Sequence, residues 1–406
     1  MANRYARITG LGKYVPAQRL TNYDLEQMMD TSDEWITSHT GIRERRMAAP
    51  GETAVSMALE ASRAALANAG MQPEDLDLII FATNTPDYFC PASASILQHR
   101  LGAVNAAAFD LTSGCTGWLY GMVVATQFIQ NGTLDRVLVV AAELLTRAVD
   151  YTDRNTAILF GDAAAAAVLE PSLSPTGILA FELGSDGSGW DALYFPGGGG
   201  AKPFSQEVLD NRENYLRMDG KRVLKFATKT LSATIQRVVQ RSGLPFDEID
   251  FIVPHQTNIK LIELMIKRLK VDPEKVMVNL DRYGNTSAAA IPLALAEAVE
   301  QGRIKEGYHV VLASFGAGLT WASAVLHWQP TKPEMEQAIL VSNWPVRERL
   351  QQQANKVRAA VWSAQVTART KAQEATMSVM LPFYSWQRKR RKEREQRERS
   401  RQGQHS

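Results

Sequence analysis

The feature that most constrains this chain is an echo of itself. Pro73-Glu-Asp-Leu-Asp-Leu-Ile-Ile80 recurs in outline as Pro245-Phe-Asp-Glu-Ile-Asp-Phe-Ile-Val253, and Asp135-Arg-Val-Leu-Val-Val140 as Gly307-Tyr-His-Val-Val-Leu312, both at an offset of about 172–173 residues. Either pair alone is weak, because apolar strands look alike. The shared offset implies internal duplication of a βαβ-type half. Leu76-Asp-Leu-Ile-Ile-Phe-Ala82 is near-continuously apolar, as a strand covered on both faces must be. The expected fold class is therefore α/β, with one half in residues 1–172 and a second in 173–330, followed by an extension over 331–406. Two such halves bring their strand ends around a common crevice, where sites in these sheets form.

Local signals punctuate that frame. Residues 5–16 read as an opening strand, Thr31-Ser-Asp-Glu34 as the cap of a short helix that carries Trp35 and ends near Gly41, and Ala54 to Gly70 as an amphipathic helix with a glycine stop. Residues 158–170, with five consecutive alanines, read as a closely packed strand. Gly184 to Trp190 and the run Gly197–Gly200 read as a mobile insertion between the halves.

The stretch that could do chemistry is Asp110-Leu-Thr-Ser-Gly-Cys-Thr-Gly-Trp-Leu-Tyr120. Ala106–Asp110 is a short apolar strand, and Trp118–Gln130 is apolar almost all round until Asn131-Gly132 stops it, which gives a strand, a tight turn and a buried helix. A cysteine in the first helical turn faces unpaired N–H groups and the positive dipole end, so Cys115 is expected to favour thiolate. A small buried cysteine filling a helix start is the competing account. Further along, Asp250-Phe-Ile-Val-Pro-His-Gln-Thr-Asn258 puts His255 between a buried strand and a helix over Asn258–Lys270. Leu280-Asp-Arg-Tyr-Gly-Asn-Thr-Ser-Ala288 is a turn in which Thr286 or Ser287 is expected to cap the next helix, leaving the Asn285 amide free. A strand-end cysteine, histidine and asparagine suit a thiol nucleophile with two donors for an oxyanion. Ser314-Phe-Gly-Ala-Gly-Leu-Thr320 is a small-residue turn able to bring a backbone N–H to the same carbonyl.

Taken together, these pieces resemble β-ketoacyl-acyl-carrier-protein synthase III, the initiating condensing enzyme of type II fatty acid synthesis in the thiolase superfamily. The motifs are collinear over roughly residues 5–328: Thr31-Ser-Asp-Glu-Trp35, Thr40-Gly-Ile-Arg-Glu-Arg45, Phe109–Gly117, Thr152-Asp-Arg154, Phe160-Gly-Asp-Ala163, Val253-Pro-His-Gln256, Leu280–Ser287 and Phe315-Gly-Ala-Gly318. The resemblance implies a thiolase-like fold of two duplicated halves, layered αβαβα, in a homodimer. It implies that Cys115 takes an acyl group from acyl-coenzyme A, and that His255 and Asn285 hold the thioester carbonyl of malonyl-acyl carrier protein while carbon dioxide leaves. Phe315 would wall that site, with N–H groups of Cys115, Gly316 and Ala317 as oxyanion donors. The same carry-over puts Trp35 and Arg154 on the coenzyme A adenine and Gly220 and Asn258 near its pantetheine. Lys225, Lys260, Lys267 and Arg268 would receive the acidic acyl carrier protein, and Cys90 would lie at the end of the acyl pocket, where a residue smaller than phenylalanine suits primers longer or more branched than acetyl. His39 and Lys221 stand where the family has arginine and asparagine. No metal and no cofactor beyond the two thioester substrates is implied.

Charge and cysteine content bound the rest. Arg388–Arg401 holds nine Lys/Arg against three Glu, a local +6, and subtracting it from the chain's net +2 leaves the body at −4. Nucleic acid is thus an unpromising partner for the body. Two cysteines, no leader-like apolar segment after Met1 and no apolar run near 18 residues fit a reduced, cytoplasmic protein. The resemblance is silent on 331–406. There Pro345–Ala375 reads as helix with a weak apolar stripe, and Met377–Trp386 abuts the basic run Arg388–Lys392, a combination suited to peripheral contact with an anionic membrane or to a solvated, disordered tail. Two other functions compete with condensation. One is a related secondary-metabolite or polyketide-priming synthase or acyltransferase; the other is a non-catalytic scaffold.

Overall fold

A computed structural model describes residues 4–331. The expectations for the basic extension, from the Pro345–Ala375 helix to the membrane-facing run at Arg388, lie outside the described residues. Nine strands make the main sheet: β1 (Tyr5–Tyr14), β2 (Leu78–Ala82), β3 (Ala107–Leu111), β4 (Val137–Leu144), β5 (Asp162–Ser172), β6 (Gly177–Ser185), β7 (Phe251–Pro254), β8 (His309–Gly316) and β9 (Thr320–His327). The helices of eight residues or more are α1 (Asp33–Thr40), α2 (Ala54–Ala69), α3 (Ser93–Leu101), α4 (Gly117–Gln130), α5 (Gly220–Ser242), α6 (Ile259–Leu269) and α7 (Ala290–Glu300).

Strand order is β7-β8-β9-β6-β1-β5-β4-β2-β3. Reading outward from the middle, β1-β5-β4-β2 and β6-β9-β8-β7 repeat one pattern, two antiparallel pairings followed by a parallel one. The register repeats too: Leu78 faces Val137 in the first half, and Phe251 faces Val310 in the second, both partners displaced by 173 positions. The helix after the Cys115 turn starts at Gly117 and its counterpart at Ala290, the same displacement. Within the sheet the two halves pair through one β1–β6 residue pair, Ala6 with Gly177.

Burial follows from period-two alternation on strands that are apolar on both sides. Ile79 and Phe81 of β2 pack outward with Leu138 and Val140 of β4 under α2 and α3. Leu78, Ile80 and Ala82 face inward onto α4 and α7. In the second half, Ile252 and Val311 turn outward to α5 and α6, while Val253, Val310 and Leu312 join the same central layer. The result is five layers, α2/α3, sheet, α4/α7, sheet and α5/α6, which is the αβαβα arrangement. Helices α4 and α7 are apolar over most of their circumference because both their faces are covered.

Several local readings hold. Ser32 Oγ accepts from Trp35 N at 3.1 Å and Gly41 closes α1 in the left-handed region. The alanines of β5 are all buried, packed between α2 and the central layer. Two readings need correction. Residues 158–161 are not strand: β5 starts at Asp162, and Phe160 instead forms an isolated parallel bridge with Asn285, because the chain must turn there to support the second half's loop. The glycine-rich insertion is tied down, with Gly197 N donating to Glu213 O and Gly198 N to Lys202 O, both at 2.8 Å, beside a Lys202–Glu213 ion pair at 2.5 Å.

Candidate active site

Three turns at the strand ends converge. The first is a 3₁₀ turn, Gly114–Thr116, between β3 and α4, which places Cys115 with 7% exposure. Thr116 Oγ1 donates to Ser113 O at 2.6 Å, and Ser314 Oγ of β8 donates to the Cys115 carbonyl at 3.0 Å. The β8–β9 hairpin is packed hard against this turn. A Cβ on Gly316 would lie 2.5 Å from Cys115 N, and one on Gly114 (φ +54°) would lie 2.7 Å from Ala317 N. Only glycines let the two backbones approach so closely.

The second turn follows β7. His255 is 1% exposed, its N–H donates to Ala313 O at 2.8 Å, and its ring meets the Phe315 ring edge-on, centroids 5.3 Å apart at 87°. The third is the loop into α7. Asn285 is held by its N–H to Leu159 O at 2.8 Å and by Gly161 N to its own carbonyl at 3.1 Å. Its Oδ1 accepts from Ser287 N at 2.8 Å, and its Nδ2 reaches Thr257 Oγ1, two residues past His255, at 3.4 Å. The expected cap by Thr286 or Ser287 is not made. Asn285 itself bonds the turn through Oδ1, which leaves its NH₂, weakly held by Thr257, as the group able to donate. A hub below fixes this loop: Glu297 of α7 takes Asn279 Nδ2 at 2.8 Å, Tyr283 OH at 2.7 Å and Arg282 through two contacts at 3.0 Å.

Electrostatics here are dominated by burial. Loss of water pushes the Cys115 thiol up to about 12, with Ser287 opposing the rise and the charge of Glu143 adding to it. The expected thiolate is therefore not the resting form. Cys115 sits in the 3₁₀ turn just before α4, and the desolvation cost of a sulfur anion exceeds the help of nearby N–H groups. Burial also drives His255 down to about 3, so its imidazole is neutral, and its Nδ1 is buried without a partner. A neutral ring and an amide NH₂ can donate to an oxyanion without adding a charge. Among the described residues, no cluster of His, Cys, Asp or Glu could hold a metal ion.

Sequence comparison decides the family. The 3-oxoacyl-[acyl-carrier-protein] synthase III pattern matches residues 109–187, and its C-terminal pattern matches residues 239–328. A β-ketoacyl-[acyl-carrier-protein] synthase III of Symbiobacterium thermophilum is 52% identical over 328 residues, covering 81% of this chain and 99% of the relative. The chain belongs to the β-ketoacyl-[acyl-carrier-protein] synthase III family. It is an acyltransferase by that membership. The crystallised synthase III of Thermus thermophilus is 43% identical and covers 80% of this chain and all of its own, with a TM-score of 0.75. The priming β-ketosynthase of the R1128 polyketide pathway is 35% identical, with a TM-score of 0.75 over 81% of this chain and 98% of its own.

The remaining residues singled out by the synthase III motifs divide into those brought together and those not. Arg154 lies 4.8 Å from the Trp35 ring centroid, and His39 stacks on the same indole at 4.4 Å and 24°. A purine between Trp35 and Arg154 needs about 7 Å, two van der Waals separations, so the arginine has to swing out first. Gly220 opens α5 behind its cap Asp219. The Asn258 side chain caps α6 by accepting from Lys260 N at 2.9 Å and donates to His39 O at 3.0 Å, so both ends of its amide are engaged. Lys225 and Arg268 share an open groove of about 560 Å³ with Lys221, Leu224, Thr228 and Lys229, whereas Lys260 and Lys267 stand exposed on α6 outside it. Lys221, Lys225 and Lys229 form one stripe at i, i+4, i+8, a signal present in the sequence that reading from α6 alone overlooks. Cys90 is exposed. Glu143 and Asn84 were not anticipated; the available sign was a lone carboxylate inside the otherwise apolar Val137–Leu144.

Proposed function

We propose that the chain performs a decarboxylative Claisen condensation of an acyl-coenzyme A primer with malonyl-acyl carrier protein, starting type II fatty acid synthesis through an acyl-Cys115 intermediate. The observation that carries this reading is the convergence of a buried thiol, a neutral imidazole and an amide NH₂ from three separate turns. Cys115 Sγ attacks the primer thioester, with Cys115, Gly316 and Ala317 supplying N–H donors to the oxyanion. His255 and Asn285 then donate to the malonyl thioester oxygen as carbon dioxide departs, and the Phe315 ring against His255 keeps water from the departing carboxylate. The enolate attacks the acyl-cysteine. No cofactor takes part.

Trp35 and Arg154 would clasp the adenine, and Gly220 and Asn258 would border the pantetheine, Asn258 by placing His39 rather than by its own amide. Lys225 and Arg268, with Lys221 and Lys229 beside them and Lys260 and Lys267 on α6, would receive the acidic carrier protein. The edge strand β3 leaves Phe109 partly exposed, and Tyr88 and Phe89 are exposed beside Cys90, which suits pairing with a second copy and use of Cys90 to line the partner's acyl pocket. The two halves divide near residue 172. Two free cysteines, and the absence among the described residues of any helix long and apolar enough to cross a membrane, accord with work in the cytoplasm. The small Cys90 favours primers longer or more branched than acetyl. The test is intact mass after incubation with a panel of acyl-coenzyme A primers, followed by malonyl-acyl carrier protein. An acyl adduct lost in Cys115→Ser, then a β-ketoacyl product, is the expected result; no adduct from any primer would sink the reading and favour a scaffold.

A further inference from the structure

Arg45 is a fully buried cation that the chemistry described above does not use. It stands in the short strand Glu44–Met47, opposite Leu20 of the strand Gln18–Thr21, at 0% exposure. Among the described residues it forms no ion pair, and its neighbour Glu44 goes to Arg19 instead. Burial brings the guanidinium down to about 10, so it keeps its charge at neutral pH. An unpaired buried charge costs stability, and a well-packed apolar side chain would fill the same space with less loss.

The fork gathers three acceptors from three stretches of chain. Nη1 donates to Leu20 O at 3.1 Å and to Asn22 Oδ1 at 2.9 Å, and Nη2 donates to Ile158 O at 2.7 Å. Two of these bonds lead to opposite ends of the site. Asn22, also at 0% exposure, donates onward through Nδ2 to Asp33 Oδ1 at 2.9 Å and to Ile42 O at 2.8 Å, so it grips α1, which carries Trp35, at its start and just past its end. Ile158 O lies one residue before Leu159 O, the acceptor of Asn285 N, and Gly161 N donates back to Asn285 O. The stem of Arg45 presses on this pairing. A Cβ on Gly161 would lie 2.9 Å from Arg45 Cβ, and one on Gly284 would lie 3.4 Å from it. Ile158 itself packs with Leu20, Leu25 and Ile36, and Trp35 lies against that cluster. A planar guanidinium with fixed donor directions holds these oxygens in one arrangement, which a lysine or an apolar side chain does not.

We propose that Arg45 is a positioning residue for the condensation. Through Ile158 it fixes the direction in which Asn285 presents its NH₂ to the malonyl thioester oxygen, and through Asn22 it holds α1 for the coenzyme A adenine. It touches no reacting atom. Asn285 Nδ2 has a long bond to Thr257 Oγ1, at 3.4 Å, so its aim depends on how its backbone is held. A donor that turns away from the developing oxyanion stops stabilising it. The inference rests on the proposed condensation for its kinetic readout, but not for its structural one.

The test uses the full chain and Arg45→Lys, which keeps the positive charge and loses the fork. Two half-reactions are timed apart: acylation of Cys115 by saturating acetyl-coenzyme A, and consumption of the preformed acyl-enzyme by malonyl-acyl carrier protein. The second is expected to fall by about thirtyfold or more and the first by less than about threefold, with KM for acetyl-coenzyme A raised. In the Asn285→Ala background Arg45→Lys is expected to slow the second step by no more than about twofold further, because both changes remove the same donor. Hydrogen–deuterium exchange without substrate is expected to quicken at residues 158–161 and 283–286 and to stay unchanged at 251–255. Equal losses in the two half-reactions, losses that multiply in the double variant, or exchange that quickens throughout would make Arg45 a support of the fold alone and overturn the proposal, as would no loss at all. Should Arg45→Lys not fold, Asn22→Ala decides by the same criteria: with one of its three acceptors gone the guanidinium loses its alignment, and the second half-reaction alone is expected to fall by about fivefold. If wild type takes no acyl group, the proposed function fails and the exchange pattern decides on Arg45.

Discussion

At Gly114–Thr116 and again at Ser287–Ala289 the chain makes one 3₁₀ turn, enters it at φ +54° and +50°, and runs into a buried helix. The two turns pack against each other in the central layer. In the first, glycine occupies the left-handed position, cysteine follows, and a hairpin presses on the backbone. In the second, serine occupies the left-handed position and alanine stands where the cysteine would be. The lesson is a division of labour. The duplicated backbone supplies two equivalent turns at one crevice, and divergence of single side chains gives one the thiol of the proposed nucleophile and the other a serine tied to Asn84.

Substitutions that make the two turns alike test this division. The largest effect is expected from Cys115→Ala, which gives the first turn the second turn's residue. Condensation should fall by roughly 10⁴-fold or more while the thermal midpoint stays near wild type, as read by product formation and calorimetry. Loss of folding instead would mean that the cysteine is a packing residue.

Next is Glu297→Ala, which strips the second turn of its hub. Asn279 and Tyr283 would be left with unmet donors and Arg282 with only Asp281 at 3.9 Å, a cost of about 3 kcal/mol in denaturant unfolding. Decarboxylation should weaken with it, since the Asn285 loop loses its anchor. Gly114→Ser writes the second turn's residue into the first. The added Cβ meets Ala317 N at 2.7 Å, and backbone cannot yield cheaply, so about 2 kcal/mol of stability and most acylation should be lost. The reverse change, Ser287→Gly, relieves a strained φ but frees the unfolded chain, and its stability should stay within about 1 kcal/mol of wild type.

A pH series sharpens the same contrast. Burial holds the folded His255 near 3 against an ordinary 6.5, so the unfolded chain binds its proton first on acidification. This contribution to stability is intact above pH 6.5 and declines by at most about 1.4 kcal/mol per pH unit from there toward pH 3. His255→Gln should flatten that part of the curve relative to wild type. Parallel curves would place the imidazole in water.

Much of the scaffold could be read from the chain because it rests on local and periodic signals. The shared offset of Pro73–Ile80 and Asp135–Val140 with their echoes returned as a repeated register, Leu78 with Val137 and Phe251 with Val310. Ser32 and Gly41 marked the ends of α1, and the ordered motifs placed Cys115, His255 and Asn285 at strand ends. The misreadings share one cause. Whether Cys115 is thiol or thiolate, whether Thr286 or Ser287 caps the turn before α7, and whether the glycine-rich insertion moves freely depend on water exclusion and on partners beyond the local pattern. So does the burial of Glu143, whose carboxylate binds Asn84 and Thr85 across β4 and the loop after β2. Period and capping are short-range properties carried by neighbouring residues, so the sequence by itself determined the strands, the duplication and the candidates for the reacting groups. Protonation, hydrogen-bond direction and support are set by desolvation and long-range contact, and those only the tertiary structure decided.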